Sequence, residues 1–197
     1  MLRTILSRPG ARTLPANIRY AQFSPYLRLL STASSQTLDI NGRKVSVPTG
    51  LFINNEFVPA ISGNTFPVEN PTNGKELIQI QEGREEDVNA AVKVARKTFE
   101  SEEWAKSNPA WRGELLNKLA DLMQRDFDDF VAVEMLDTGK THAQASTLDV
   151  PGSIGTLKYY AGWADKVLGL TSFNIPGTFA YTRREPVGVV GQIIPWK

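Results

Sequence analysis

Apolar and polar positions alternate with a period of two between residues 51 and 81, which is the spacing of β-strands. Two apolar runs in residues 51–58 are separated by Asn54-Asn55-Glu56, a turn-prone tripeptide, and this arrangement predicts a small hairpin. Residues 66–69 and 77–81 flank the turn sequence Asn70-Pro71-Thr72-Asn73-Gly74 and predict a second hairpin.

The period then changes to 3.6, which predicts helices. The first opens with the carboxylates of residues 85–87, which complement the helix dipole. The second begins after Asn108 with a proline at its first position, and the third runs from about Asp126 to Gly139, a C-cap. Pro151 argues against one continuous helix from 141 to 164 and fits better as the first residue of a fourth. The apolar faces expected to be buried are Val88, Ala91, Val92, Ala95 and Phe99; Leu115, Leu116, Leu119, Leu122 and Met123; Phe127, Phe130, Val131 and Met135; and Leu157, Tyr160 and Trp163.

Beyond Gly169 the period returns to two. Residues 171–175 and 179–183 flank Pro176-Gly177 and predict a long two-stranded ribbon. Residues 187–194 are almost continuously apolar, which is typical of a strand buried on both faces of a parallel sheet. Such a strand needs parallel neighbours, so the pattern predicts an α/β fold whose sheet is incomplete in this chain.

The N-terminal 36 residues differ from the rest in charge. Five of the 22 basic residues lie there, all of them arginines, and the first acid is Asp39. An Arg- and Ser-rich, acid-poor segment is typical of a mitochondrial transit peptide, so we expect import into the matrix and cleavage between Tyr20 and Gln36. The other interpretation is a basic tail without a role. The arginines and prolines of residues 1–36 interrupt any apolar run, which excludes a secretory signal and a membrane span in this segment.

The remaining chain carries four more acidic than basic residues, and this gives no reason to expect nucleic acid or a membrane as partner. The absence of cysteine from all 197 residues excludes disulfides, thiolate metal sites and a cysteine nucleophile. The single histidine, His142, lies in a polar stretch and is interpreted as solvated. Gly188 and Gly191 lie inside the predicted strand and do not form a phosphate loop.

Five strings of residues, in order along the chain, carry a resemblance to a known family. They are Leu51-Phe52-Ile53-Asn54-Asn55-Glu56-Phe57; Asn70-Pro71; Glu134-Met135-Leu136-Asp137-Thr138-Gly139-Lys140; Tyr159-Tyr160-Ala161-Gly162-Trp163-Ala164-Asp165-Lys166; and residues 181–196, from Tyr181-Thr182-Arg183-Arg184 to Ile194-Pro195-Trp196. The chain thereby resembles the aldehyde dehydrogenase superfamily, in particular mitochondrial enzymes that oxidise simple aliphatic aldehydes.

The resemblance implies a fold with a Rossmann-like cofactor domain, a catalytic domain and a ribbon that bridges subunits into homo-oligomers. It places residues 37–197 in part of the cofactor domain. Residues 171–184 correspond to the bridging ribbon and residues 187–194 to the first sheet strand. Less than half of a family member is therefore expected in this chain.

The resemblance also implies the chemistry. A cysteine thiolate attacks the aldehyde, hydride passes to NAD or NADP, and a glutamate-activated water releases the acid. The counterparts of Ile193, Ile194, Pro195 and Trp196 line the cofactor cleft. Lys197 stands where the family has an oxyanion-hole asparagine. Asp137 matches a position of a monovalent-cation site in some members, although an Asp beside a helix C-terminus also simply forms turns.

Three interpretations follow from these residues. The first is the N-terminal part of an aldehyde dehydrogenase that acts on aldehydes only at full length and, as this chain, is inactive and binds no cofactor. The second is a non-catalytic fragment that associates with intact subunits through the ribbon at 171–184. The third is an independent structural domain, which the unpaired apolar strand at 187–194 argues against.

Overall fold

The computed structural model describes residues 35–173 and 176–194. Within them, eight short strands form four separate two-stranded antiparallel sheets, and each sheet pairs strands that are consecutive in the chain. The strands are β1 (Ser35–Ile40), β2 (Arg43–Pro48), β3 (Leu51–Ile53), β4 (Glu56–Val58), β5 (Thr65–Glu69), β6 (Glu76–Gln81), β7 (Thr171–Ser172) and β8 (Ala180–Tyr181).

Both hairpins predicted between residues 51 and 81 are confirmed, as β3–β4 and β5–β6. At the β3–β4 turn, Asn54 and Asn55 adopt φ values of 54° and 65°, a left-handed conformation that asparagine tolerates better than most residues. The structure adds a hairpin that the alternation did not predict, β1–β2, whose turn is Asn41-Gly42. The transit peptide predicted for residues 1–36 lies almost entirely outside the described residues.

The helices lie between β6 and β7. They are α1 (Glu85–Glu100), α2 (Glu102–Ala105), α3 (Pro109–Arg125), α4 (Phe127–Thr138), α5 (His142–Gln144) and α6 (Val150–Ala161). The predicted boundaries of α3 and α4 are confirmed. The Asn108 side chain accepts a hydrogen bond from the backbone N–H of Ala110, which caps the start of α3. Gly139 has φ 70° and ends α4 with the left-handed C-cap.

The predicted fourth helix at Pro151 is confirmed to within one residue, because α6 begins at Val150 and Pro151 occupies its first turn. The chain is nevertheless helical before the proline as well. A π-helical turn, Ala145–Asp149, joins α5 to α6, so the chain is helical from 142 to 161. In this wider turn the backbone N–H of Val150 bonds to the carbonyl of Ala145, five residues earlier. Proline has no N–H and its ring crowds the carbonyl four residues before it. The local change of hydrogen-bond register absorbs both effects, so the helix continues through the proline.

The core lies between the helices. Ala120, Val131, Ala145, Val150 and Ile154 form its main cluster, with Met123, Phe127, Met135 and Leu157 packed against it. A second cluster joins β1–β2 to α4 through Ile40, Val45 and Ala132.

The apolar faces predicted for the helices are buried only in part. Of the predicted α3 face, Leu115, Leu119 and Leu122 are exposed, and the small residues Gly113 and Ala120 make the close contact instead. Val88 and Val92 on α1 are exposed as well, because none of the described elements covers that face. None of the helices in the described range is long and apolar enough to span a bilayer.

The C-terminal part differs most from expectation. The predicted ribbon is confirmed only as the two-residue strands β7 and β8. Residues 182–194 contain neither helix nor strand, so the strand predicted at 187–194 does not form in the described structure. A strand needs the hydrogen-bonding edge of a neighbour, and none of the described strands lies beside this segment.

Candidate functional site

The residues predicted to line a cofactor cleft lie at the end of the described chain. Ile193 is 92% exposed and Ile194 is 65% exposed, and the structure does not bring them together with polar groups into a cavity. Pro195 and Trp196 lie outside the described residues, as does Lys197. Ile193 and Ile194 are therefore not part of an assembled site in the described structure, and the cofactor role of all four residues stays a prediction.

Asp137, the predicted contributor to a cation site, is exposed in the last turn of α4. The turn is closed by a hydrogen bond from the backbone N–H of Gly139 to the carbonyl of Met135. The described residues contain no group of three or more His, Cys, Asp or Glu side chains placed to hold a metal ion. The structure therefore gathers no side-chain ligands around Asp137, and its cation role stays a prediction.

A polar cluster that the sequence did not predict lies just beyond this turn. The Lys140 ammonium lies 3.1 Å from a carboxylate oxygen of Glu134 on α4 and 2.9 Å from Asp149 Oδ2 in the π-turn. All three side chains are about two-thirds buried, and Asp149 Oδ2 is enclosed by protein with the ammonium as its charged partner. Hydrogen bonds to Asp149 and Glu134 raise the pKa of Lys140 above its ordinary value. The three residues therefore form an ion-paired bridge between two helical elements.

A cavity of about 250 Å³ lies beside this bridge and is lined by Met123, Phe130, Glu134, Asp149, Val150 and Ser153. Its hydroxyl group belongs to Ser153, which donates a hydrogen bond of 3.0 Å to the carbonyl of Asp149. A backbone carbonyl cannot take up the serine proton as a general base does, so this hydrogen bond does not activate the hydroxyl. The cavity therefore offers charge and apolar surface but no nucleophile.

A second cavity, of about 290 Å³, lies under the β1–β2 hairpin and is bordered by Arg43 and His142. The Arg43 guanidinium contacts Asp128 at 2.7 Å and Asp129 at 2.6 Å, at the start of α4. His142 is exposed, which agrees with its interpretation as a solvated side chain. The ion pairs fasten the hairpin to α4, and the charge of Arg43 is already compensated by carboxylates.

Asp87 is the buried acid of the described chain, with 4% of its surface exposed at the start of α1. Its carboxylate accepts hydrogen bonds from the backbone N–H of Arg84 at 3.0 Å and of Ile61 at 2.9 Å. These hydrogen bonds, that from Arg84 first, lower the pKa of Asp87 below its ordinary value. Asp87 thus joins the loop after β4 to the first turn of α1, and its role is to position backbone.

Sequence reasoning could have found some of these residues. Glu134 and Lys140 belong to one of the five family strings, and their spacing across a helix C-terminus favours an ion pair. Arg43 gives no such signal, because its partners are 85 and 86 residues away. Within the part of the chain that the structure describes, the chemistry is therefore that of a structural scaffold: ion pairs, helix caps and one buried carboxylate.

Comparison with known proteins identifies the protein family of this chain. A family model described as the aldehyde dehydrogenase family matches residues 57–197. An aldehyde dehydrogenase of Emericella nidulans is 54% identical over 153 residues, which cover 78% of this chain and 30% of that protein. The human aldehyde dehydrogenase named as mitochondrial is 45% identical over 180 residues, covering 89% of this chain and 35% of that protein.

Comparison with solved structures points to the same family. The NAD+ complex of an aldehyde dehydrogenase from Bacillus cereus matches with a TM-score of 0.73 and 43% identity, covering 80% of this chain and 31% of that one. The chain spans about a third of the length of the relatives it matches. With the family model matching well over half of it, the chain belongs to the aldehyde dehydrogenase family.

Proposed function

We propose that the chain is the N-terminal part of an NAD(P)-dependent aldehyde dehydrogenase, and that these 197 residues alone oxidise no aldehyde. The observation that carries the proposal is the combination of 54% identity to the Emericella nidulans enzyme with the absence of any cysteine. The family reaction needs a nucleophile, a base and a positioned nicotinamide. The cavities described above contain no activated nucleophile.

In the complete protein, these 197 residues contribute to catalysis by positioning the cofactor. Its last described residues, Ile193 and Ile194, are the predicted wall of the cofactor cleft, and their exposed apolar side chains are free to contact an adenine or a nicotinamide ring. The relative from Bacillus cereus was solved with NAD+, which supports a dinucleotide as the cofactor of the complete protein. The choice between NAD and NADP depends on residues beyond this stretch, and the stretch alone binds neither.

The test is a chimera in which residues 57–196 replace the matching stretch of the Emericella nidulans enzyme. We expect NAD-dependent oxidation of acetaldehyde within about tenfold of the parent, because a well-matched scaffold preserves the geometry of the site. The isolated chain should give no turnover. A soluble, folded chimera without activity would contradict the proposal, and so would turnover by the isolated chain.

The ribbon at 171–184 supports a second element of the proposal, contact between subunits. Phe173, Phe179 and Tyr181 are 72%, 65% and 70% exposed. Their rings contact one another at tilted angles, with centroids 5.6 Å apart for Phe173 and Phe179 and 6.2 Å apart for Phe179 and Tyr181. Exposed aromatic clusters of this kind mark association surfaces. In the chimera, F173S/F179S should lower the oligomeric state measured by sedimentation, and an unchanged oligomer would rule the ribbon out.

Localisation in the mitochondrial matrix rests on the basic, acid-free leader and on the human relative named as mitochondrial. Residues 1–36 fused to a fluorescent protein should direct it to mitochondria, whereas the same fusion with its five arginines replaced by glutamine should stay in the cytosol. If the first fusion also stays there, the leader is the basic tail of the other interpretation.

A further inference from the structure

The chain contains two Asn-Gly dipeptides, and each lies in the turn of a hairpin. One is Asn41-Gly42, between β1 and β2, and the other is Asn73-Gly74, between β5 and β6. An asparagine followed by glycine can react internally, because glycine has no side chain to shield its backbone nitrogen from the asparagine carboxamide. The two turns therefore hold the same reactive pair in two different structural settings.

The side chain of Asn73 is folded over the amide of Gly74. Its Oδ1 accepts a hydrogen bond of 2.9 Å from the backbone N–H of Lys75, which closes a ring that contains both the Asn73 Cγ and the Gly74 nitrogen. The same bond donates to the oxygen on which negative charge develops when Cγ is attacked. Asn70 accepts a similar bond, but the residue after it is Pro71, which has no N–H and cannot attack.

The N–H of Gly74 can be exposed to water at little cost. It donates to the carbonyl of Asn70 at 2.8 Å, and that carbonyl also accepts the N–H of Asn73 at 3.2 Å. Opening the Gly74 bond therefore leaves the carbonyl of Asn70 with a partner, and residues 71–76 are all exposed. The ammonium of Lys75 follows directly in the chain, and its positive charge favours removal of the Gly74 proton by hydroxide.

The Asn41-Gly42 turn has the opposite properties. Unlike Asn73, Asn41 has a positive φ, 54°, and in this left-handed conformation the following amide nitrogen points away from the side chain. The Gly42 N–H donates at 2.8 Å to Asp39 Oδ1, so removal of its proton places a second negative charge beside a carboxylate. The basic residue that follows, Arg43, is already paired with two carboxylates of α4. Asn41 is therefore protected from attack.

We propose that Asn73, and not Asn41, is the site at which the folded chain deamidates, with water as the only co-reactant. The Gly74 nitrogen loses its proton to hydroxide and attacks Cγ of Asn73. The bond from Cγ to Nδ2 then breaks, and water protonates the leaving group as ammonia, which regenerates hydroxide. Water next opens the cyclic succinimide. Addition at Cγ gives aspartate, and addition at the backbone carbonyl gives isoaspartate, in which the main chain runs through Cβ and Cγ.

The reaction alters a turn that lies against the end of α4. A Cβ atom built on Gly139, the cap of α4, is 3.2 Å from Pro71 Cγ and 3.6 Å from Thr72 Oγ1. An isoaspartate lengthens the main chain of this turn by one carbon, whereas an ordinary aspartate adds charge and leaves the backbone unchanged. Isoaspartate at position 73 is therefore expected to weaken the contact between the β5–β6 turn and α4.

The experiment follows the full 197-residue chain at neutral pH by peptide mapping with mass spectrometry, which measures conversion of carboxamide into carboxylate at each Asn-Gly pair. In the folded chain Asn73 should react about tenfold or more faster than Asn41, because a neighbouring negative charge opposes loss of the proton. In guanidinium chloride the two rates should agree within about twofold, because both turns are lost. K75E should slow the reaction at Asn73 and leave the rate at Asn41 unchanged.

N73D is the matched control for the consequence of the reaction, because it has the charge of the product on an ordinary backbone. Aged chain that contains isoaspartate at position 73, detected with an isoaspartyl carboxyl methyltransferase, should have a lower urea midpoint than fresh N73D. The proposal is overturned if Asn41 reacts as fast as Asn73 in the folded chain, or if neither residue reacts. It is also overturned if the ratio of the two rates is the same with and without denaturant, because the turns then have no influence.

Discussion

Helix packing at Gly113 can be tested by adding a single methyl group. Gly113 is buried in α3, and a Cβ atom built on it lies 2.7 Å from the carbonyl oxygen of Ala161 at the end of α6 and 3.3 Å from the Cβ of Ala164. Ordinary contact begins near 3.4 Å, so the two helices must separate by about 0.7 Å. The opposing atom belongs to the backbone and cannot rotate away.

The magnitude follows from two opposing effects in G113A. Alanine has a higher helix propensity than glycine, which stabilises the variant by about 1 kcal/mol. Overpacking against an immobile group costs about 2–3 kcal/mol, the upper part of the range for inserted methyl groups. The net result is a free energy of unfolding about 1–2 kcal/mol lower, or a melting temperature about 3–6 °C lower for a domain of this size.

The assay is urea unfolding followed by far-UV circular dichroism, with G155A as the matched control. Gly155 is also inside a helix, α6, but a Cβ built on it meets nothing within 4 Å. G155A should therefore raise the free energy of unfolding by about 0.5–1 kcal/mol through the change in unfolded-state entropy. If G113A unfolds at the same urea concentration as the parent chain or at a higher one, the α3–α6 contact does not exist as described and the steric reasoning fails.

Three further changes probe the charged groups. D87N should lower the urea midpoint at pH 7. Because the folded-state pKa of Asp87 is lowered, the difference in midpoint between D87N and the parent should be complete above the unfolded pKa of about 4. That difference should disappear as the pH falls through the folded pKa. A difference that is constant from pH 7 to pH 3 would show that the charge is not involved. K140M should also lower the midpoint. The folded pKa of Lys140 is raised, so the difference in stability between parent and K140M is full below the unfolded pKa of about 10.4 and fades as the pH rises through the folded pKa. Equal midpoints for K140M and parent at pH 7 would exclude the ion-paired bridge. In the chimera extended to include residue 197, K197N should raise kcat about 10²–10³-fold, the usual worth of an oxyanion-hole amide, and an unchanged kcat would show that residue 197 is not at the oxyanion.

What the sequence predicted correctly depends on local interactions. The start of α3 follows from Asn108 and Pro109, and the end of α4 follows from Gly139, because capping involves residues within one turn. The Asn54-Asn55 turn is likewise a property of its own dipeptide. The five family strings carried the identification of the family for the same reason, since each string is contiguous in the chain.

What the sequence did not predict depends on distant residues. The large leucines of α3 were expected to pack inside, yet the close contact is made by Gly113 and Ala120, which matter because they are small. The partners of Arg43 lie on α4, and nothing near Arg43 points to them. For the cofactor wall at Ile193 and Ile194, the family resemblance named the residues, but the described structure does not assemble them into a site.

The pairing of strands that are neighbours in sequence has a consequence for the order of folding. Because β1 to β6 form three successive hairpins with short turns, each can close within microseconds without waiting for later parts of the chain. A two-stranded hairpin alone is only marginally stable in water, however, so each forms and opens repeatedly. The β1–β2 hairpin becomes persistent only once α4 offers Ala132 and the carboxylates that hold Arg43. During synthesis on the ribosome, β1 and β2 are therefore made before the helices but become stably paired only after α4 has formed.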